Sequence, residues 1–144
     1  VGQQEGHKRT IMSELIHKAL LYAKYKHRGV LDDEGKSYFD AHVVQVFNIM
    51  QRVTEDVNIL CASILHDVLE DTNATYEDLK YIFNEKIADL VLELTKESYN
   101  NFPRLKSKEA ILIKFADRLS NLSRMKTWNK KRQEKYIKKS KFWK

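Results

Sequence analysis

Proline and glycine are scarce in this chain, with one proline and four glycines in 144 residues. These residues supply most turn and loop chemistry, so their shortage favours helices. Cysteine is limited to Cys61, which excludes an internal disulfide and points to a reducing compartment. No stretch approaches the roughly 20 apolar residues that a membrane span needs, and the N-terminal residues carry no apolar core of a secretory signal. The expectation is a cytoplasmic protein with no membrane partner. Its length suits one domain with one hydrophobic core.

The first eleven residues, VGQQEGHKRTI, are polar and aperiodic, whereas Met12 opens an amphipathic run. Residues 1–11 are therefore expected to be disordered or foreign to the native protein, with the folded domain over 12–144. His7 carries no expected function. The net charge of +6 is a local property. Residues 126–144 hold nine basic side chains and one acidic one, Glu134, while residues 1–125 hold 17 basic and 19 acidic. A nucleic-acid reading would thus rest on the C-terminal segment alone.

Periodicity reads as helix nearly throughout. Leu15, Ile16, Ala19, Leu20 and Ala23 mark a first helix with Ser13 as its cap, and RGVLDDEGKS is a loop. Val43, Val46, Phe47, Met50 and Val53 mark a second helix. Val57, Leu60, Cys61, Ile64, Leu65 and Val68 mark a third. Thr75 followed by Asp78 resembles a capping box and starts a short fourth helix, which leads to a fifth around Ile87, Leu90, Val91 and Leu94. After the loop KESYNNFPRLKS, Ala110, Ile113, Leu119, Leu122 and Met125 mark a sixth helix, followed by a basic helical segment with Trp128, Tyr136, Phe142 and Trp143. The predicted fold is all-α, one compact bundle of about six to seven helices.

One stretch resists an ordinary reading. In ILHDVLEDTNAT, His66, Asp67, Glu70 and Asp71 place one imidazole and three carboxylates within six residues at the end of an apolar run. Adjacent helical residues point about 100° apart, so His66 and Asp67 cannot share one core stripe. They can converge on an ion from a helix end. Further ligands must come from other helices, and the candidates are His42, inward by periodicity, and Asp117, which interrupts the apolar run ILIKFADRLSNL. A carboxylate there is costly unless paired or bound to a metal. Two imidazoles and two carboxylates suit a divalent ion of the manganese or iron kind better than zinc.

The order H…HD…D, here His42, His66–Asp67 and Asp117, resembles the HD-domain phosphohydrolase signature. The words LHDVLEDT, LVLELTK and ILIKFADRLSNL around it resemble the hydrolase domain of the bacterial Rel/Spo enzymes and their small stand-alone relatives. The likeness runs from the first helix to about Tyr136. It implies an HD-domain hydrolase with a basic C-terminal helix over 12–144, Mn²⁺-dependent (Fe²⁺ or Mg²⁺ being other options), acting on ppGpp or pppGpp. The products would be GDP or GTP and the 3′-pyrophosphate. The resemblance assigns His42, His66, Asp67 and Asp117 to the metal and Glu70 and Asp71 to activating water. Asn121 would contact the nucleoside, with Lys114 and Arg118 near the phosphates.

The chain also departs from that family. Asp32 and Asp33 stand at the substrate-binding positions where the family carries an Arg–Lys pair beside the guanine, and carboxylates cannot provide cationic stacking. One extra residue separates Tyr38 from His42, Val43 replaces a proline, and Ser120 replaces a histidine or tyrosine. An alternative substrate is another nucleotide such as NADPH. An alternative of another class is a non-catalytic nucleotide-sensing or interaction module, against which the full set of candidate ligands stands. Each residue alone also has a plain explanation: His42 as a helix-end histidine, Asp117 paired with Lys114 or Arg118, Glu70 and Asp71 as a charged helix end. Cys61 reads as core, His17 as solvated and His27 as packing near the site. The lysine-rich tail reads first as a helix with its lysines in water, then as a rim attracting a polyanion, and last as a nucleic-acid or membrane anchor.

Overall fold

Polar residues with short side chains write the helix starts. Asp56 Oδ1 accepts the backbone N–H groups of Asn58 and Ile59 at 2.9 and 3.2 Å. Asn84 Oδ1 accepts that of Ile87 at 2.8 Å, and Ser107 Oγ that of Ala110 at 3.1 Å. Thr75 and Asp78 form the anticipated capping box, with both reciprocal bonds at 3.1 Å. Each cap satisfies orphan amide groups of a first helical turn and is worth about 1 kcal/mol.

The computed structural model describes residues 2–95, 105–123 and 129–139, with side chains for 14–95, 105–123 and 129–135. Helix α1 spans Gly2–Lys26, α2 Val44–Gln51, α3 Val57–Leu65, α4 Val68–Asp71, α5 Tyr76–Ile82, α6 Glu85–Leu94, α7 Lys108–Leu122 and α8 Lys130–Lys139. These are seven helices and the single turn α4. A π turn, Phe39–Val43, precedes α2. Among the described residues there is no strand, only an isolated bridge between Leu31 and Ser37. The all-α expectation holds.

Helix α3 lies at the centre and packs against α1, α2, α6 and α7. Every residue from Leu60 to Leu65 is buried, as expected of a helix that is apolar on all sides. Cys61 is part of this core, and burial pushes its thiol up to about 12, which makes it inert at neutral pH. Glu93 of α6 accepts from the Lys106 and Ser107 amides, both at 2.9 Å, and from Ser107 Oγ at 2.7 Å, so α6 fixes where α7 begins.

Several boundaries differ from the sequence pattern. Helix α1 starts at Gly2, upstream of the expected cap Ser13. It closes near Gly29, whose φ of +78° is the left-handed conformation that glycine adopts without strain. Val68 belongs to α4, because the third helix breaks at His66 and Asp67. Val53 lies beyond α2 and is exposed. The expected core positions Leu119 and Leu122 are 55% and 41% exposed. Helix α7 has apolar residues on two faces, and Ala110, Ile113 and Ala116 take the core side. Met125, Trp128, Phe142, Trp143 and the side chain of Tyr136 lie outside the described residues.

Candidate metal centre

The four expected ligands meet at one point, although they come from three separate stretches of chain. His42 is in the π turn, His66 and Asp67 are at the break between α3 and α4, and Asp117 is in the middle of α7. One ligand atom from each lies within 4.8 Å of all the others. His42 Nε2 is 2.8 Å from Asp117 Oδ1 and 3.4 Å from His66 Nε2. His66 Nε2 is 3.0 Å from Asp67 Oδ2 and 3.3 Å from Asp117 Oδ1. The two histidines and Asp117 are buried, and Asp67 is partly so.

Local chemistry aims each group. The π turn closes with the Val44 amide bonded to the Phe39 carbonyl. Such turns recur at functional sites. His66 donates its Nδ1–H to the Ser63 carbonyl oxygen at 2.7 Å, which turns Nε2 toward the cluster. Tyr38 donates its hydroxyl to Asp67 Oδ2. Its ring packs 5.1 Å from that of His42 and 5.2 Å from that of His27. Lys114, itself buried, stands 3.5 Å from Asp117 Oδ2.

The electrostatics favour a cation. Burial alone would raise both carboxyls. Charge and hydrogen bonding from His66 outweigh it at Asp67, while bonds from His42 and His66 and the Lys114 charge outweigh it at Asp117. Both are held below the usual carboxylate range. Burial likewise pushes His66 down, but the Asp67 charge and bonds to Asp117 and Asp67 bring it well above the ordinary imidazole value. Proton and metal ion therefore compete for the same atoms. Two nitrogen and two carboxylate oxygen donors fit a divalent ion with further positions open to water or substrate.

The HD-domain family profile matches residues 19–110. The chain belongs to the HD-domain family. That match contains His42, His66 and Asp67, while Asp117 lies beyond it. Guanosine-3′,5′-bis(diphosphate) 3′-pyrophosphohydrolase of Spiroplasma citri is 34% identical over 135 residues, covering 83% of this chain and 18% of the relative. The protein of that name from Aquifex aeolicus is 30% identical, and this chain spans 20% of it. The chain thus covers about a fifth of these long relatives. The Drosophila melanogaster protein named MESH1, also a 3′-pyrophosphohydrolase by name, is 31% identical over 89% of this chain and 82% of its own. A solved metazoan ortholog of SpoT, described as hydrolyzing ppGpp, superposes with a TM-score of 0.78 at 31% identity, covering 88% of this chain and 82% of that one.

Within this HD domain the remaining candidates are placed unevenly. Glu70 and Asp71 are exposed on α4, directly after the ligand pair. The Asp71 charge adds to raising the Tyr38 phenol, after burial, Asp67 and Asp117. Asn121 is half-buried one turn beyond Asp117, and Arg118 is buried next to it. Asp32 Oδ1 accepts the Glu34 and Lys36 amides at 2.9 and 2.8 Å, so this carboxylate shapes its own loop. Asp33 pairs with Arg132 of α8 at 2.7 Å. His17 is exposed, whereas His27 is 2% exposed, and burial lowers its pKa. Sequence reasoning missed the Tyr38 bond to Asp67 and the Ser63 carbonyl. Only the family-like position of Tyr38 pointed toward the first, and nothing in the sequence toward the second. Among the described residues no helix is long and apolar enough to cross a membrane.

Proposed function

We propose that this HD domain is a metal-dependent phosphohydrolase that removes the 3′-pyrophosphate of ppGpp or pppGpp, with Mn²⁺ as the ion. One observation carries this reading. Four donors, His42, His66, Asp67 and Asp117, converge within 4.8 Å in a fold matching 82% of a ppGpp-hydrolysing relative. A divalent cation held by those atoms supplies Lewis acidity toward phosphoryl oxygen and water. Water adds at the 3′ phosphorus, the bond from that phosphorus to the ribose 3′ oxygen breaks, and the nucleotide leaves with a 3′ hydroxyl as pyrophosphate is released.

The protein's own groups do the rest. Glu70 and Asp71, on the exposed turn after the ligands, take the proton of the attacking water and return one to the leaving ribose 3′ oxygen. General-base assistance of this kind contributes roughly 10²–10⁴-fold. Lys114 and Arg118 balance the charge that a polyphosphate brings to buried carboxylates, and Asn121 offers an amide to the nucleoside. Retention of every ligand and of both acidic helpers argues against a sensing module that has lost turnover. The test is pyrophosphate release from ppGpp with and without Mn²⁺, with Asp67→Ala as control. Turnover that requires both the ion and Asp67 supports the reading. Bound ion without turnover would sink ppGpp as substrate and direct the assay to NADPH and other nucleotides.

A further inference from the structure

His42 is held from behind by a chain of side chains that leads out to the surface. Its Nδ1 lies 3.0 Å from Ser120 Oγ. Ser120 Oγ lies 2.6 Å from Gln45 Oε1, and Gln45 Nε2 lies 3.3 Å from Ser123 Oγ. Ser123 Oγ is 2.6 Å from the carbonyl oxygen of Ser120. Ser120 is fully buried, Gln45 partly, and Ser123 is exposed. Gln45 and Ser123 also line an open cavity of about 360 Å³ with Asp32, Asp40 and Asn48, so the outer end of the chain reaches solvent.

Each hydroxyl has one proton to give, and this sets a direction. Ser123 Oγ has two acceptors in reach, the Ser120 carbonyl at 2.6 Å and Gln45 Oε1 at 3.5 Å, and its one proton goes to the nearer. Ser123 Oγ is then an acceptor, which suits the Gln45 amide NH₂ and turns Oε1 toward Ser120. The Ser120 hydroxyl donates to that oxygen. Its lone pair therefore faces His42 and takes the Nδ1–H. Nδ1 thus keeps its proton, and Nε2, the atom 2.8 Å from Asp117 and 3.4 Å from His66 Nε2, is the nitrogen on which a metal ion can replace a proton.

We propose that Gln45 and Ser120, oriented by Ser123, are positioning residues that set the His42 tautomer and so prepare Nε2 to bind the metal. The inference rests on the metal reading above and extends it to residues that never touch the ion. Without the Gln45 acceptor, the Ser120 hydroxyl is released to donate to Nδ1. The His42 proton then moves to Nε2, where it blocks ligation. His66 is set independently by its bond to Ser63, so the defect is confined to one ligand.

The test is calorimetric titration of Mn²⁺ and Zn²⁺ into the whole chain as wild type, Ser120→Ala, Ser120→Thr, Gln45→Leu and the Ser120→Ala/Gln45→Leu double variant. Loss of such an outer partner typically costs about 10–100-fold in metal affinity, and that loss is expected for Ser120→Ala and for Gln45→Leu. Ser120→Thr, which keeps the hydroxyl, restores binding, and Gln45→Leu causes no further loss once Ser120 is alanine. In parallel, ¹⁵N NMR of the Zn²⁺-loaded wild type is expected to show a slowly exchanging Nδ1–H on His42 that becomes fast in Ser120→Ala. Unchanged affinity in Ser120→Ala, or a Gln45→Leu loss of equal size in both backgrounds, overturns the proposal. If the wild type binds no divalent ion, the metal reading fails. The relay is then decided by the His42 ring proton in the metal-free protein: fast exchange in the wild type overturns it, and slow exchange lost in Ser120→Ala supports it.

Discussion

The Nδ1–H of His66 bonds to the carbonyl oxygen of Ser63, 2.7 Å away and three residues earlier on α3. The last carbonyls of a helix have no amide partner within it, and a histidine at the end can serve one of them. A single hydrogen bond thus helps to end α3 and points Nε2 at the cluster. Helix termination and ligand orientation are one event here.

Removing His66 removes both roles. In the metal-free protein, His66→Ala is expected to lower stability by about 1–3 kcal/mol, the cost of leaving a buried acceptor without its donor. Denaturant unfolding under chelating conditions measures it, and an unchanged midpoint would show that the bond contributes nothing to the helix end.

Tyr38→Phe isolates the contact to Asp67, because the ring that packs on His42 and His27 is kept. Metal affinity is expected to fall by about 10–100-fold, while stability changes by only about 1 kcal/mol. Titration calorimetry beside thermal melts separates the two. Equal affinity for both proteins would remove Tyr38 from the site.

Stability of the metal-free protein should pass through a maximum with pH. The pKa of His66 is raised above its ordinary 6.5. Its contribution is complete below that value and is lost as pH rises through the higher folded-state pKa. Those of Asp67 and Asp117 are lowered from 3.8, so their contribution is complete above that value and is lost as pH falls through the depressed ones. A bound divalent ion replaces the His66 proton and should abolish the alkaline decline. Urea titrations from acid to alkaline pH, with and without the ion, check both limbs. An alkaline limb that persists with ion bound would contradict the competition.

The two faces of α7 should respond differently. Ile113→Ala, at a fully buried position, is expected to cost about 2–5 kcal/mol. Leu119→Ser, on the outward face, should stay within about 0.5 kcal/mol. Chemical unfolding of both variants decides. A large loss at Leu119 would show that this face is covered in solution.

The Asp33–Arg132 pair should contribute little, because both side chains are about half exposed, at 53% and 50%. A double-mutant cycle with Asp33→Ala and Arg132→Ala is expected to give a coupling of about 0.2–1 kcal/mol that shrinks with added salt. A larger coupling that is indifferent to salt would mean that the loop and α8 form a buried junction.

Much of this protein was legible in its residues because the signals are local. Helical periodicity and the box at Thr75 and Asp78 each act within one or two turns. The set of candidate ligands was legible for another reason. Histidine and aspartate in apolar stretches such as ILHD and KFADRLSNL are costly there without a partner, which makes them conspicuous. The face of α7 was not legible, since Leu119 and Leu122 fit an apolar stripe as well as Ile113 does.

By its order of residues alone, this chain determines an all-α architecture and singles out four candidate donors, because both follow from near-neighbour periodicity and from the cost of burying charge. Only the tertiary structure decides that Tyr38 reaches Asp67 across 29 positions and Ser120 reaches His42 across 78. It also decides that Asp33 meets α8 rather than the cluster. Such pairings depend on how α1, the π turn, α3 and α7 pack around one core, and a hydrogen bond between distant residues leaves no periodicity behind.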